Sequence, residues 1–322
     1  MKRCLNCMEE YEERKESCPH CGWNGVWEMG ECLEPGVILK GRYIVGTDRG
    51  RNPADILYIG WDAMFARKVL IMEYFPKSCA FRGKHGEVRV FETARALFSD
   101  GCCRFRENIQ NLIQMDDTRG LLNVFGAAED NGTVYSIWEY PGEMTLRKHL
   151  LEEGPYSLEQ TEKLLMKISG PLMAAHRRNM YHGQLSLDCC YVCRSGNLAV
   201  GRFNDAGFVT GDRSNEDAGS SGVKADIFEL AHIAGAALTG VELWEHRSVD
   251  DSLEELSSDV PEYVIDALSD AMSDDPIRCQ DSLRRFVDQF LDEATIEMPS
   301  NRVYQQEEAS RRPSTLWDFL RR

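Results

Sequence analysis

The sequence predicts an α+β fold in which a β-rich segment is followed by a longer helical one. Two patterns indicate this. Between residues 42 and 138, short runs rich in β-branched and aromatic residues are bounded by Gly or Asp, as strands usually are. From residue 158 onward, apolar residues recur instead at the spacing of amphipathic helices. The chain has 322 residues, 43% of them hydrophobic, which is enough to bury a sizeable core.

The net charge restricts the kinds of molecule that the protein is expected to bind. The chain has 37 Lys and Arg residues against 53 Asp and Glu residues, a net charge of −16. Nucleic-acid binders normally present a basic face, so we expect no nucleic-acid partner. The sequence contains no run of about 18 uncharged apolar residues, so we expect no membrane segment. Residues 1–7 lack the apolar stretch of a signal peptide, which favours a cytoplasmic protein.

The first predicted element, residues 1–30, is a zinc ribbon with the ligand pattern Cys4-x2-Cys7-x10-Cys18-x2-Cys21. Two C-x-x-C turns place four thiolates around one tetrahedral ion, and soft thiolate ligands favour zinc. The segment is too short to bury a core, so the metal would have a structural role and supply most of its folding energy. His20 is expected not to bind the metal. Two disulfides are the alternative, but they require an oxidising compartment that nothing else in the sequence supports.

A Pro35-Gly36 joint separates this ribbon from the remaining elements. The predicted strands cover residues 42–46, 56–61, 68–75, 122–125 and 133–138, with a helical pattern at 91–115. After Pro141-Gly142, helical patterns cover residues 158–180, 225–239, 261–273 and 281–291. Residues 293–322 form a polar tail that ends in a short amphipathic segment around Leu316.

The order of these elements and several motifs within them resemble those of bacterial serine/threonine protein kinases. The likeness is greatest to a group in which a zinc ribbon precedes the kinase domain. They include a strand motif, a hinge-like motif and a catalytic-loop-like motif: Lys68-Val69-Leu70-Ile71-Met72, Trp138-Glu139-Tyr140 and Tyr181-His182-Gly183-Gln184. The resemblance spans about residues 36–290. It implies a bilobal kinase-like fold, with a β-rich N-lobe at 36–140 and a helical C-lobe at 141–292.

The same resemblance implies that the nucleotide-binding positions are degenerate. The glycine-rich loop that covers ATP phosphates in kinases falls on Gly50, Asn52 and Asp55, so two of its three glycines are missing. The carboxylate of Asp55 stands where phosphate would lie. The position of the lysine that binds the nucleotide phosphates in kinases corresponds to Met72. The position of its glutamate partner on the helix corresponds to Asn108, although a shift of one residue would give Glu107.

The catalytic-loop and magnesium positions are substituted as well. The catalytic base of H-R-D-x-x-x-x-N becomes Gln184, an amide that cannot accept a proton at ordinary pH. The magnesium-binding Asn becomes Cys189, a poor ligand for a hard cation. Without gaps, the D-F-G motif falls on Arg202-Phe203-Asn204; an insertion of three residues would place it on Asp205-Ala206-Gly207. No A-P-E follows before Asp226.

These substitutions resemble those of a pseudokinase, a kinase-like protein that acts as a regulatory or scaffolding binding module. We expect no binding of ATP with magnesium. Trp138 resembles the gatekeeper beside the adenine pocket, but packing in the interlobe core is the favoured interpretation. The alternative function is a divergent serine/threonine kinase with residual ATP binding and phosphotransfer, in which Arg51, Lys68, Asp188 and Asp205 would carry the chemistry.

The expected partner is a protein, either an active kinase or a protein with a forkhead-associated domain. The tail segment Thr315-Leu316-Trp317-Asp318 resembles the T-x-x-D motif that such domains read once the threonine is phosphorylated. The favoured alternative is that Leu316, Trp317 and Phe319 dock on the chain's own domain.

Overall fold

The computed structural model describes residues 1–27, 30–115, 118–193, 196–203, 218–241, 260–273 and 281–292, together with 253, 254 and 256. Within these ranges the predicted α+β architecture is confirmed: a sheet-based N-lobe precedes a helical C-lobe. Asp205 and Thr315, which the sequence singles out, lie outside the described residues. None of the described helices is long and apolar enough to cross a membrane.

The ribbon forms a small separate unit at the start of the chain. Its two short strands, β1 (Lys2–Arg3) and β2 (Glu10–Tyr11), are antiparallel, with Lys2 opposite Tyr11. Its core is a cluster of its own, formed by Cys4, Cys7, Tyr11 and Cys18 with Trp23 packed against them. A core of this size cannot stabilise a fold by burial alone, which agrees with a unit held by a metal.

The N-lobe contains a six-stranded antiparallel sheet in the order β3-β4-β5-β6-β10-β9. Its strands are β3 (Ile38–Leu39), β4 (Tyr43–Arg51), β5 (Asp55–Asp62), β6 (Arg67–Tyr74), β9 (Val124–Asp130) and β10 (Thr133–Glu139). A hairpin not predicted from the sequence, β7 (Ala80–Arg82) and β8 (Val88–Val90), follows β6. The predicted strand at 122–125 begins only at Val124, since Leu122 instead donates its backbone N–H to the Val200 carbonyl.

The register decides which side chains share a face, because directly opposed residues point to the same side. Leu57 lies opposite Met72, and Trp61 lies opposite Lys68. We call this side the inner face. Helix α1 (Arg95–Ile113) covers one end of it, where Phe105 packs on Tyr74 with ring centroids 5.6 Å apart. The inner face therefore runs from α1 to the strand ends near Trp61.

The outer face of the sheet carries a buried polar cluster. Glu73 is fully buried and receives hydrogen bonds from Tyr58 at 2.8 Å and from Tyr135 at 2.7 Å. Arg82 of the β7–β8 hairpin donates two hydrogen bonds to the same carboxylate. A buried carboxylate needs such compensation, so the cluster fixes the hairpin over the sheet.

The C-lobe contains the four predicted helices, together with one helix and one hairpin that were not predicted from the sequence. Its elements are α2 (Leu146–Glu153), α3 (Leu158–His176), β11 (Cys190–Val192), β12 (Leu198–Val200), α4 (Ala218–Thr239), α5 (Glu262–Ala271) and α6 (Leu283–Phe290). Helix α3 packs against both α4 and α6. The β11–β12 hairpin forms bridges to the segments on either side, with Tyr191 opposite Thr145 and Val200 beside Leu121.

Candidate functional site

The four predicted ligand cysteines come together in one cluster. Their Sγ atoms all lie within 4.8 Å of one another, with 3.6 Å between Cys4 and Cys21 and 3.7 Å between Cys7 and Cys18. A tetrahedron with metal–sulfur bonds of about 2.3 Å has sulfur–sulfur edges of about 3.8 Å. Both separations are far longer than the bond of about 2.05 Å in a disulfide. The cluster therefore fits a tetrahedral metal such as zinc and does not match the disulfide alternative.

The backbone around the cluster supports metal binding. Met8 donates its N–H to the Cys4 carbonyl and Gly22 donates to the Cys18 carbonyl, each at 2.8 Å, so each C-x-x-C pair sits on a tight turn. Gly22 has φ +74°, which glycine adopts at little cost. Burial raises the pKa of the Cys4 and Cys7 thiols. A bound cation would reverse this effect, because a coordinating thiol loses its proton.

The ribbon docks on the inner face of the N-lobe sheet, beside the cleft. Thr47 donates its backbone N–H to the Leu5 carbonyl at 2.9 Å. Lys68 pairs with Glu9 of the ribbon at 2.6 Å. The Arg3 guanidinium lies 3.5 Å from the centroid of the Trp61 ring. These contacts join the ribbon to β4, β5 and β6.

Gly46 makes this docking possible. A Cβ atom at this position would lie 2.3 Å from the Leu5 carbonyl oxygen and 2.4 Å from the Met8 side chain. Met8 is fully buried in the contact. The ribbon thus approaches the β4 backbone more closely than any side chain at position 46 would allow.

The catalytic-loop-like segment retains its structural supports. Asp226 of α4 is fully buried and accepts hydrogen bonds from the backbone N–H groups of His182 and Gly183, each at 2.8 Å. The ring of His182 hydrogen-bonds the Gly201 carbonyl at 2.8 Å and stacks on Phe203 with centroids 4.6 Å apart. The loop is therefore held in a defined conformation although its chemical groups are substituted.

The substituted groups of that loop offer no base and no hard metal ligand. The side-chain oxygen of Gln184 is buried without a hydrogen-bond partner among the described residues. Cys189 is 1% exposed, and its Sγ lies 3.3 Å from the Ser186 hydroxyl. Burial raises the pKa of the Cys189 thiol, but the positive charge of Arg202 and the neighbouring His182 ring outweigh it, so the net pKa is lowered.

Arg202 and Asp55 form an ion pair across the cleft. Arg202 follows β12 in the C-lobe and is 6% exposed, while Asp55 begins β5 in the N-lobe and is fully buried. Their closest atoms, Nη2 and Oδ1, are 3.5 Å apart. The resemblance places Asp55 where phosphate would lie and Arg202 at the D-F-G aspartate, and the structure brings these two side chains together.

The positions that the sequence resemblance assigns to a glycine-rich loop form a tight turn. Asn52 donates its backbone N–H to the Asp55 carbonyl at 2.8 Å, which joins β4 directly to β5. Gly50 lies over the Arg202 guanidinium, since a Cβ there would be 3.6 Å from Nη1. The space below this turn is thus occupied by a cation of the chain itself.

The remaining predicted positions are distributed along the inner face. Met72 is fully buried beneath the sheet, opposite Leu57 and Ser136. Asn108 is half-buried on α1. Trp138 is 1% exposed and donates its indole N–H to the Ser136 hydroxyl at 2.7 Å, which is the placement of a core residue.

A cavity of about 350 Å³ opens between the ribbon and the cleft. Sequence reasoning missed several of its lining residues, because neither their spacing nor their type marks them before the ribbon is docked. These are Asn6 of the ribbon, Arg49 of β4, and Glu143, Thr145 and Lys148 near the start of α2; Cys21, a predicted metal ligand, lines the cavity as well. Leu57 and Leu70 from the sheet, Tyr191 from β11, and Arg202 also line the cavity.

No family model matches the chain. Its structure is similar to the apo form of PpkA-294, with a TM-score of 0.58 and 18% identity over 81% of this chain and 100% of that one. It is also similar to a mutant kinase domain of PknI from Mycobacterium tuberculosis (TM-score 0.53, 16% identity, 82% and 99% covered). A third match is Rad53 in complex with AMP-PNP (TM-score 0.54, 11% identity, 77% and 64% covered). The chain therefore has the fold of bacterial serine/threonine kinase domains, with a four-cysteine cluster near its N-terminus.

Proposed function

We propose that this chain is a catalytically inactive kinase-fold protein that acts by binding another protein, as a regulator or a scaffold. One observation carries the proposal: Arg202 and Asp55, which the resemblance assigns to a magnesium position and a phosphate position, form a buried ion pair. A guanidinium cannot bind magnesium, and its pairing with Asp55 removes that carboxylate as a ligand. The phosphate-binding lysine is replaced by Met72, the catalytic base by Gln184 and the second metal ligand by Cys189. None of these side chains suits the role of the residue it replaces.

The contacts of three alternative catalytic residues support the same proposal. Lys68 is paired with Glu9 of the ribbon at 2.6 Å, and Arg51 with Asp48 at 3.1 Å. Asp188 accepts a hydrogen bond from Arg147 at 2.7 Å. Each of these side chains would have to leave an ion pair before it could act on a nucleotide or a substrate hydroxyl.

Phosphotransfer and ligand-dependent stability test the proposal together. The purified full chain is incubated with radiolabelled ATP and magnesium, alone and with a generic protein substrate, and its melting is followed with and without the same nucleotide. We expect no label transfer and no stabilisation that depends on magnesium. Label transfer that disappears in Asp188→Asn or Asp205→Ala would instead identify a divergent kinase. A heat-inactivated sample and a known active kinase serve as controls.

We propose in addition that the four-cysteine cluster holds zinc in a structural role and that the protein is cytoplasmic. Four thiolates at tetrahedral spacing suit zinc, and a reducing compartment keeps them available as ligands. Metal analysis of protein purified without added metal tests the first point, with one zinc per chain expected. Iron in place of zinc would overturn the assignment.

The partner class is also a proposal. Phosphorylated Thr315 would add a charge of about −1.5 to −2 and strong acceptor oxygens, which forkhead-associated domains recognise. A peptide covering residues 309–320 is compared with and without phosphate at Thr315 for binding to such a domain, and the full chain is compared with Thr315→Ala. Equal binding of both peptides would exclude this partner and leave an active kinase as the partner to test.

A further inference from the structure

Five side chains form an alternating stack of rings and guanidinium groups at one end of the N-lobe sheet. The guanidinium carbon of Arg42 lies 4.6 Å from the centroid of the Tyr43 ring and 5.0 Å from that of the Phe65 ring. The guanidinium carbon of Arg67 lies 5.0 Å from the same Phe65 ring and 3.5 Å from the ring of Phe125. We call these five residues the arginine–aromatic stack. Cation–π contacts of this length hold the side chains against one another.

The strand register places the stack away from the interlobe cleft. Asp62 lies opposite both Tyr43 and Arg67, so these three side chains share the outer face of the sheet. Arg67 begins β6, whereas Glu73 of the buried polar cluster lies near the end of the same strand, about 20 Å away. The stack is therefore separate both from the kinase-like site and from the surface that the β7–β8 hairpin covers.

The stack holds apolar surface in solvent. Phe65 is 60% exposed and its neighbour Met64 is 70% exposed. The turn that carries them has a defined conformation, because Asp62 accepts a hydrogen bond from the Met64 backbone N–H at 3.1 Å and Ala66 adopts φ +50°, which is uncommon for a residue other than glycine. Arginine and aromatic side chains contribute much of the binding energy of protein interfaces, and side chains that are already held in place lose little freedom on binding.

The two guanidinium groups of the stack share one carboxylate. Arg42 donates to both oxygens of Asp62, at 2.8 and 2.7 Å. Arg67 approaches Asp62 only to 3.6 Å, beyond hydrogen-bond distance, and its Nε has no hydrogen-bond partner among the described residues. The carboxylate of Glu139, on the neighbouring strand, accepts a hydrogen bond from Asn123 at 2.7 Å instead. Arg67, whose side chain is 38% exposed, therefore keeps N–H donors for a carboxylate of another molecule.

We propose that the arginine–aromatic stack binds a second protein, which places an Asp or Glu carboxylate on Arg67 and an apolar side chain against Phe65 and Met64. This deepens the proposed function and rests on it in one respect, that the chain acts by binding another protein. A nucleic acid is disfavoured because its dense charge, about one per 1.7 Å of duplex, would meet the chain's net charge of −16. A short acidic segment meets mainly the local charge of Arg67, since salt screens exposed charges more than about 8–10 Å away.

Selection from a displayed library of random short peptides tests this chemistry. The purified full chain is the bait, and the peptides that it enriches are synthesised and titrated by fluorescence anisotropy. We expect the enriched peptides to combine Asp or Glu with an aromatic or aliphatic residue. Replacing their acidic residues by Asn or Gln should weaken binding about tenfold or more. Enrichment of peptides without an acidic residue, or of no peptide at all, would overturn the proposal.

Variants then locate the binding site. Phe65→Ser and Arg67→Gln should each weaken binding of the selected peptide about tenfold or more. Phe81→Ser and Arg89→Gln, at exposed positions of the β7–β8 hairpin, are the matched controls and should leave the affinity unchanged. Unchanged affinity in both stack variants, or an equal loss in the controls, would contradict the assignment. If Arg67→Gln fails to fold, Phe65→Ser decides alone, because Phe65 is mostly exposed.

A second copy of the chain and a nucleic acid are the competing occupants of the stack. Sedimentation velocity compares the natural chain with Phe65→Ser, and a uridine oligonucleotide is titrated in the same way as the peptide. Self-association that Phe65→Ser abolishes, or an oligonucleotide that binds more tightly than the peptide, would overturn the proposal. None of these measurements uses ATP, so phosphotransfer by the chain would overturn only the proposed inactivity. Failure of the peptides in a chain that transfers no phosphate would overturn the docking surface alone.

Discussion

Arg202 of the C-lobe and Asp55 of the N-lobe meet across the cleft, buried and 3.5 Å apart at their closest atoms. The sequence resemblance assigns Asp55 to the glycine-rich loop and Arg202 to the D-F-G aspartate. In the structure this pair links the N-lobe to the C-lobe. Arg202 also has φ +63°, a conformation that costs a non-glycine residue about 1–2 kcal/mol.

A double-mutant cycle measures this pair. Asp55→Asn and Arg202→Gln each leave one buried charge without this partner, so each should lower the free energy of unfolding, whereas the double variant removes both charges. We expect the double variant to lose less stability than the sum of the single losses, with a coupling of about 0.5–3 kcal/mol. Urea denaturation gives the free energies of unfolding of the natural chain, the two single variants and the double variant. Strict additivity would show that the charges do not interact.

Gly46→Ala tests the docking of the ribbon. The added Cβ would clash with the Leu5 carbonyl oxygen and the Met8 side chain, so we expect a loss of about 1–3 kcal/mol and faster proteolysis of the ribbon. Gly170→Ala is the control, because a Cβ on this α3 residue meets nothing within 4 Å. The helical control should be neutral or slightly stabilising. Unchanged proteolysis of Gly46→Ala would contradict the docked arrangement.

Single cysteine substitutions test the metal cluster. Cys7→Ser should lose the bound zinc and unfold the ribbon, because the metal supplies most of the folding energy of this unit. His20→Ala should retain one zinc per chain, since His20 is exposed and is not one of the four clustered ligands. The metal content measures the loss of zinc, and near-ultraviolet circular dichroism measures the unfolding of the ribbon. Loss of zinc in His20→Ala would place the histidine in the coordination sphere.

The Arg42–Asp62 pair predicts a pH dependence of stability. Two hydrogen bonds from Arg42 lower the pKa of the buried Asp62 carboxyl below its usual value. A lowered folded-state pKa contributes stability above the unfolded value of about 3.9, and this contribution is lost as the pH falls through the folded pKa.

Asp62→Asn isolates that contribution. The difference in urea midpoint between the natural chain and the variant should be constant near neutral pH and shrink below about pH 4. Taking the difference cancels the acid sensitivity of the thiolate cluster, which both chains share. A difference that stays constant down to the lowest pH at which both chains fold would show that the pKa of Asp62 is not lowered.

Much of the fold can be predicted from the sequence because its signals are local. The helical periodicity at 158–180 corresponds to α3, Leu158–His176, and the run at 68–75 corresponds to β6, Arg67–Tyr74. The C-x-x-C spacing is equally local, since each turn brings its own pair of thiolates together. In contrast, the β7–β8 hairpin carries no strong local pattern, and the Glu73 cluster that holds it depends on side chains far apart in sequence.

By itself, the sequence determined the residue types at the kinase-like positions: no lysine at Met72, no base at Gln184 and a cation at Arg202. The type of residue at each position is fixed by the sequence, so it does not depend on the folded structure. Only the tertiary structure decided that Arg202 meets Asp55, 147 residues away, and that Asn6 and Cys21 form a wall of the cleft. Such contacts depend on how lobes and ribbon pack, and packing is set by the whole chain rather than by any one segment of it.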